Sequence, residues 1–67
     1  MAKIQLNGKK ITINQRTTVL ELLKNYKIDQ KKIAMELNGL IISRQLYKKK
    51  ILKDKDKLEI VHFIGGG

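Results

Sequence analysis

The sequence predicts an α+β domain, in which a mixed sheet of four to five strands carries one main helix on one face. Three observations support this fold class. Short segments alternate apolar and polar residues, as half-buried strands do. The Asn-Gly pairs at Asn7–Gly8 and Asn38–Gly39 can supply the positive φ angles that tight turns between strands require. One apolar stripe beginning at Val19 has helical spacing.

The first element predicted is a β-hairpin over residues 3–14, with Asn-Gly at its turn. A two-residue loop would place Ile4 opposite Ile11, and a four-residue loop would place it opposite Ile13. In both registers these isoleucines and Leu6 share one face. The sequence leaves the register open, but it predicts one apolar face for either.

A helix should follow, because Thr18 and Glu21 have the Thr-x-x-Glu spacing of a capping box. Apolar residues at positions i, i+3, i+4 and i+7 predict the face that packs on the hairpin; they are Val19, Leu22, Leu23 and Tyr26. The helix is expected to end around residues 25–27.

The second half of the chain predicts a third strand at residues 33–38 and a last strand at residues 58–63. The aspartates of Asp54-Lys55-Asp56 predict the turn before the last strand. Both faces of that strand are apolar near its end, which favours a central position. Residues 40–53 leave two alternatives open, a short strand or a single helical turn, and the triplet Lys48–Lys50 indicates a solvated face.

Composition limits the classes of function. The chain has 67 residues, no cysteine and a single histidine, which disfavours a disulfide framework, a histidine–cysteine catalytic set and a self-sufficient enzyme. No residue is predicted to be catalytic or metal-ligating. No segment has the pattern of a signal peptide or a membrane helix, so we expect a soluble protein of the cytoplasm or a plastid stroma that binds no membrane.

The formal net charge of +9 has two interpretations. A basic surface could attract nucleic acid or an acidic protein, or the lysines could reflect an AT-rich gene. Nucleic-acid modules usually add exposed aromatic side chains or arginines for stacking. Here the aromatic residues are few and Arg16 and Arg44 are the two arginines, so we expect no nucleic-acid partner.

The end of the sequence is its most informative segment. An apolar run, Val61-His62-Phe63-Ile64, leads into Gly65-Gly66-Gly67. Glycines could thread a cleft too narrow for other residues, and a terminal carboxylate could attack the α-phosphate of ATP. The alternative is an ordinary frayed end. The first interpretation divides the chain into a domain at residues 1–64 and a flexible glycine tail at residues 65–67.

These features together resemble the ThiS family, the sulfur carrier proteins of thiamine biosynthesis. The resemblance covers essentially the whole chain and rests on six segments: Ile4-Gln5-Leu6-Asn7-Gly8-Lys9, Thr18-Val19-x-Glu21-Leu22-Leu23, Glu36-Leu37-Asn38-Gly39, Ile42-Ser43-Arg44, Asp54-Lys55-Asp56 and the terminal glycines. Ser43 replaces a usual proline, and Lys55 replaces a usual glycine. Both departures concern the geometry of local turns.

The resemblance implies a β-grasp fold, similar to that of ubiquitin, and a role as a protein co-substrate. A ThiF-like adenylating enzyme would use ATP to adenylate the Gly67 carboxylate, and a sulfur donor would convert it to a thiocarboxylate. A ThiG-like thiazole synthase would take the sulfur. The chain itself would bind no cofactor and would be monomeric when free. Consistent with this, it has no Gly-x-x-x-x-Gly-Lys phosphate loop of its own.

Within this interpretation Gly65 and Gly66 would thread into the partner. Val61, Phe63 and Ile64 are candidates for docking, or for internal packing if the last strand is buried on both faces. Arg44 could steer an acidic partner. A lone histidine on a strand, His62, is expected to be structural.

Three other functions remain open. A molybdopterin synthase small subunit would share the fold and tail chemistry but differ in its sulfur acceptor. A ubiquitin-like modifier would form amide bonds to lysines. A basic RNA-binding β-grasp module would bind nucleic acid with a steep salt dependence and without need of the tail.

Overall fold

A computed structural model describes residues 1–63 of the chain. Five strands, one α-helix and two short 3₁₀ turns follow one another along this part of the sequence. The strands are β1 (Ala2–Leu6), β2 (Lys9–Ile13), β3 (Ile33–Leu37), β4 (Leu40–Ile41) and β5 (Lys57–His62). The helix is α1 (Val19–Asn25), and the 3₁₀ turns are Gln30–Lys32 and Arg44–Leu46. No helix in this part of the chain is long and apolar enough to cross a membrane.

The strands form one mixed sheet in the order β2-β1-β5-β3-β4. β1 and β5 are parallel, and the other neighbouring pairs are antiparallel. The predicted fold class is therefore confirmed, and β5 has the central position that its apolar character indicated. This arrangement places β5, the last strand of the described residues, in the middle of the sheet.

The first hairpin has the shorter of the two predicted loops. Ile4 lies opposite Ile11, and the turn residues Asn7 and Gly8 have φ angles of 49° and 80°, as a type I′ turn requires. The Asn7 side chain also reaches the central strand. Its Nδ2 donates to the carbonyl oxygen of Ile60 at 3.0 Å, and its Oδ1 accepts from the Ile60 N–H at 2.6 Å. One side chain thus fixes the hairpin turn against β5.

Helix α1 begins with the predicted capping box. The Thr18 hydroxyl accepts from the Glu21 N–H at 3.1 Å, and the Thr18 N–H donates to Glu21 Oε1 at 2.9 Å. The next donors also have partners, because the Val19 N–H donates to the Lys50 carbonyl and the Leu20 N–H donates to the Tyr47 carbonyl, each at 2.9 Å. The segment after β4 therefore satisfies backbone groups that a helix start leaves unpaired.

The capping box makes the pH dependence of stability testable. Hydrogen bonds from the Thr18 N–H and hydroxyl lower the pKa of Glu21 in the folded protein, and the nearby Lys24 lowers it further. A lowered folded-state pKa stabilises the fold above the ordinary glutamate pKa of about 4.3, and this stabilisation is lost as pH falls through the lowered value. We expect the stability advantage of wild type over Glu21→Gln to shrink between about pH 6 and pH 3. Urea unfolding at each pH measures it, and an advantage that grew on acidification would contradict the assignment.

The hydrophobic core lies between α1 and one face of the sheet. It contains the inward residues of β1, β2, β3 and β5, the helix residues Val19, Leu22 and Leu23, and also Tyr47 and Leu52. The prediction that Tyr26 completes the helix stripe is wrong, since its side chain is 48% exposed. The helix ends at Asn25 and Tyr26 is its C-cap, so Tyr26 lies at the end of the helix, beyond the buried residues Val19, Leu22 and Leu23.

Residues 40–53 contain both of the structures left open by the sequence. A second Asn-Gly turn, with φ angles of 53° at Asn38 and 85° at Gly39, leads into β4, and a single 3₁₀ turn follows. Tyr47, which the sequence did not mark as a core residue, is only 2% exposed. The segment then passes the start of α1, where the Leu52 N–H donates to the Thr17 carbonyl at 2.8 Å. It closes one side of the core.

The two departures from the family pattern leave the local turns intact. Ser43 has φ −71°, within the range that a proline ring would impose. Lys55 has φ 73°, a left-handed conformation that glycine adopts at lower cost. The aspartates on either side maintain the turn: Asp54 Oδ1 accepts from the Lys3 N–H at 2.8 Å, and Asp56 Oδ2 accepts from the Lys53 N–H at 2.8 Å.

Candidate functional site: the open face of the sheet

Helix α1 covers one face of the sheet and leaves the other face exposed. Along β5, Leu58 and Ile60 point into the core, while Glu59 and Val61 alternate to the other side and are exposed. Although β5 is central, a single helical layer cannot bury both of its faces. Val61 is accordingly 62% exposed and Phe63 is 53% exposed. Val61 and Phe63 are therefore not packed internally, and their role in docking stays a prediction.

Apolar side chains from three strands meet on this open face. Val61 lies directly opposite Ala34 on β3, and Ile41 on β4 lies opposite Glu36. Together with Glu59, these residues line a shallow depression of about 100 Å³. We call Ala34, Ile41, Val61 and Phe63 the apolar patch. It lies at the end of β5 from which the tail continues.

The backbone remains attached to the sheet as far as Phe63. Its N–H donates to the carbonyl of Lys32 at 2.9 Å, one step beyond the pairing of His62 with Ile33. The remaining predicted site residues, Ile64, Gly65, Gly66 and Gly67, lie outside the described residues, as does the predicted domain boundary after residue 64. Their threading and reacting roles stay predictions.

Arg44 lies on a different surface from the apolar patch. It belongs to the second 3₁₀ turn and lines a depression of about 480 Å³ together with Leu20 of α1, Gln30 and Lys48. The structure therefore does not bring Arg44 together with Val61 and Phe63, and any steering by Arg44 would act from the helix side. His62 ends β5 and is exposed.

The described residues offer little chemistry of their own. Within residues 1–63, no group of three or more His, Cys, Asp or Glu side chains could hold a metal ion. What this part of the chain does present is a stable sheet with an exposed apolar patch beside the start of the tail. This arrangement suits a protein whose tail is acted on by a second protein, after that second protein has recognised the sheet.

Ala34, Ile41 and the charged residues of the open face were missed by sequence reasoning. The signal for Ile41 was present, because a two-residue Asn38–Gly39 turn pairs Leu37 with Leu40 and Glu36 with Ile41. Since Glu36 alternates away from the core-facing Met35 and Leu37, that register places Ile41 on the outer face.

Comparison with known proteins decides the family. The model of the ThiS family matches residues 3–67, which includes β2 through β5, all of β1 except Ala2, and the terminal glycines. This chain belongs to the ThiS family. It is 42% identical over 65 residues to the sulfur carrier protein ThiS of Bacillus subtilis, and the match covers 96% of this chain and 98% of that protein.

A ThiS structure from Geobacter metallireducens, described as a thiamine biosynthesis protein, shares the fold. It superimposes with a TM-score of 0.83 at 34% sequence identity, covering 97% of this chain and 99% of that one. The β-grasp fold implied by the sequence resemblance is thereby confirmed.

A larger protein also contains a segment similar to this ThiS family member. The thiazole synthase of Magnetococcus marinus is 40% identical over 65 residues, which is 97% of this chain but only 20% of that protein. The polypeptide named thiazole synthase in that organism therefore contains a ThiS-like segment.

Proposed function

We propose that this ThiS family member is a sulfur carrier of thiamine biosynthesis and that the Gly67 carboxylate is the group that carries the sulfur. The observation that supports it most strongly is a family match that extends through the terminal glycines to residue 67. The near-complete coverage of the Bacillus subtilis sulfur carrier supports the same function. The chain acts as a co-substrate and leaves catalysis to its partners.

The chemistry begins with activation of the carboxylate. An oxygen of the Gly67 carboxylate attacks the α-phosphate of ATP, the bond to pyrophosphate breaks, and an acyl-adenylate forms. The carboxylate and the triphosphate are both negative, so the step needs positioning and charge neutralisation. The sequence has no phosphate loop for this purpose, and a separate ThiF-like adenylating enzyme supplies the ATP site.

Sulfur enters in the second step. A sulfur nucleophile attacks the activated carbonyl carbon, and the bond to AMP breaks. Sulfide gives the thiocarboxylate directly, whereas a persulfide gives an acyl disulfide whose S–S bond a further thiol must cleave. Gly65 and Gly66 let the chain reach the reacting centre through a narrow cleft, because neither carries a β-carbon.

The acceptor in this proposal is a ThiG-like thiazole synthase. The ThiS-like segment within the Magnetococcus marinus thiazole synthase supports a direct association between the two activities. Because the reactions need ATP and a reduced sulfur donor, we propose the cytoplasm, or a plastid stroma, as the location.

Exchange of the sulfur carriers in cells tests the proposed pathway. This chain, expressed together with its own adenylating enzyme, is expected to restore growth without thiazole to a strain that lacks its thiamine sulfur carrier. It should not restore a strain that lacks the small subunit of molybdopterin synthase. Rescue of the second strain alone would overturn the proposal in favour of the molybdopterin pathway.

The apolar patch is expected to dock the adenylating enzyme. Exposed aromatic anchors commonly dominate interfaces, and loss of such an anchor typically costs more than about 1 kcal/mol, with about 2 or more at hot spots. We expect Phe63→Ala to weaken binding by about 10-fold to 100-fold. Calorimetric titration of the enzyme measures this change. Tyr26→Ala is the matched control, since Tyr26 is a similarly exposed aromatic at the end of α1. Equal losses in the two variants would contradict docking through the patch.

A further inference from the structure

The charged residues on the open face are grouped by sign, with one lysine at the boundary. The outward positions of β1 and β2 carry Lys3 and Lys10, and β5 begins with Lys57. The acidic residues Glu36 and Glu59 lie directly opposite each other on β3 and β5, beside the apolar patch. The β2–β1 side of the face is therefore basic and the β3–β4 side is apolar and acidic, while Lys57 lies between them and lines a depression together with Glu36 and Glu59.

The basic half has a defined geometry. Gln5 lies opposite Lys10 on one side and beside Lys57 on the other, so the three residues form a row across β2, β1 and β5. With strands about 4.8 Å apart, the two lysines lie about 10 Å from each other. Lys3 and Lys55 join them around a surface depression of about 360 Å³, which therefore carries four lysines and the one carboxylate of Asp54. We call Lys3, Lys10, Lys55 and Lys57 the lysine band.

The turn before β5 holds one member of the band in place. The Lys55 N–H donates to the carbonyl of Lys3 at 2.7 Å, and Asp54 Oδ1 accepts from the Lys3 N–H. The backbone of Lys55 is thus attached to β1 at Lys3. The position of the band is set by the sheet and by this turn, and its long side chains remain free to adjust to a partner.

Exposed charges farther apart than the Debye length, roughly 8 Å at physiological salt, are largely screened from one another, and this length rises to about 30 Å at 0.01 M salt. A partner surface that carries carboxylates would therefore be attracted to the band most strongly at low salt. The acidic pair Glu36 and Glu59 lies on the same face, displaced from the band toward β3 and the C-terminal end of β5. A partner with one acidic patch would therefore meet attraction in one orientation and repulsion in the reversed one.

We propose that the lysine band binds an acidic patch on the adenylating enzyme and so fixes the direction in which the open face docks. This inference rests on the proposed function, because it names the partner of the same face. The band is about 13 Å along β5 from Val61, since Lys57 and Val61 are four residues apart. Docking in the favoured orientation directs the end of β5, and hence the tail, toward one side of the interface.

The test compares two double charge reversals that change the net charge equally. Lys10→Glu with Lys57→Glu alters the band. Lys24→Glu with Lys49→Glu alters two exposed lysines outside it, one in α1 and one after the second 3₁₀ turn. Association with the purified adenylating enzyme is measured by stopped-flow without ATP at low and at high salt. Thermal unfolding checks that each variant folds, and Lys10→Gln with Lys57→Gln provides a milder change at the same positions.

We expect the band variant to associate at least about 10-fold more slowly at low salt and to lose most of the salt dependence of wild type. The control should change less than about threefold, as expected when only the net charge is lowered. Equal effects in both variants, no effect in either, or no binding of wild type would overturn the inference. Band-dependent binding of single-stranded RNA that is tighter than binding of the enzyme would also overturn it.

Failure of this inference is distinguishable from failure of the proposed function. Association is measured without chemistry, whereas thiocarboxylate formation is measured by mass at saturating enzyme. A carrier that forms the thiocarboxylate but ignores the band would disprove the docking inference alone. A carrier that docks through the band but never gains sulfur would disprove the function alone.

Discussion

Deleting Gly67, or adding one residue after it, is expected to abolish thiocarboxylate formation and leave the fold intact. One residue of extended chain displaces the terminal carboxylate by about 3.3–3.6 Å. The reacting atoms must approach within about 3–3.5 Å, and a misplacement of about 1 Å can cost about 100-fold in rate. We therefore expect a loss of at least about 100-fold in either variant. Intact-mass analysis after incubation with the adenylating enzyme, ATP and a sulfur source measures the product.

The tail variants have a simple structural control. The buried core lies between Ala2 and Ile60, so their thermal unfolding should match that of wild type. Adding one glycine at the N-terminus lengthens the chain equally and should preserve sulfur loading. Retained loading in the chain without Gly67 would show that another group carries the sulfur.

Replacing Leu58 by alanine is expected to have the largest effect on stability. Its side chain is 0% exposed, and its neighbours in the sheet are Leu6 on β1 and Leu37 on β3. Truncation of such a core leucine typically costs about 2–5 kcal/mol. At about 0.05–0.15 kcal/mol per residue, a chain of this size has a total stability of roughly 3–10 kcal/mol. We expect Leu58→Ala to lose a large share of this stability and to unfold at a clearly lower urea concentration than wild type.

Val61→Ala provides the matched control on the same strand. Val61 lies on the open face, where its side chain is mostly exposed, and its truncation should change stability by less than about 0.5 kcal/mol. Urea unfolding of the two variants measures the difference between the faces of β5. Similar losses at both positions would mean that the open face is covered in the free protein, and that it is not a docking surface.

The elements that could be predicted from the sequence are those specified locally. The capping box, the two Asn-Gly turns and the alternation of apolar residues each act over a few positions. Tyr47 and Leu52 were missed because their burial depends on distant contacts, such as the hydrogen bond from the Leu20 N–H to the Tyr47 carbonyl. Nothing in the local pattern around these two residues indicates how the chain passes the start of α1.

In the candidate site, too, some features follow from the local sequence and others depend on contacts between distant residues. Alternation along β5 placed Val61 and Phe63 together on one side, but whether that side is covered depends on the number of helical layers. The lysine band depends on sheet order, because Lys10 and Lys57 are far apart in sequence and meet only through the pairing of β1 with both β2 and β5. The sequence showed that the chain is basic; the strand pairing shows which of the lysines lie together on the open face.

The most direct measurement is the intact mass of this protein after incubation with a ThiF-like adenylating enzyme, ATP and a sulfur source. A mass increase equal to the replacement of one oxygen by sulfur is expected, and fragmentation should assign it to Gly67. No such increase, on folded protein that ends at Gly67 and with an enzyme shown to be active, would contradict the proposal that this chain carries sulfur on its C-terminal carboxylate.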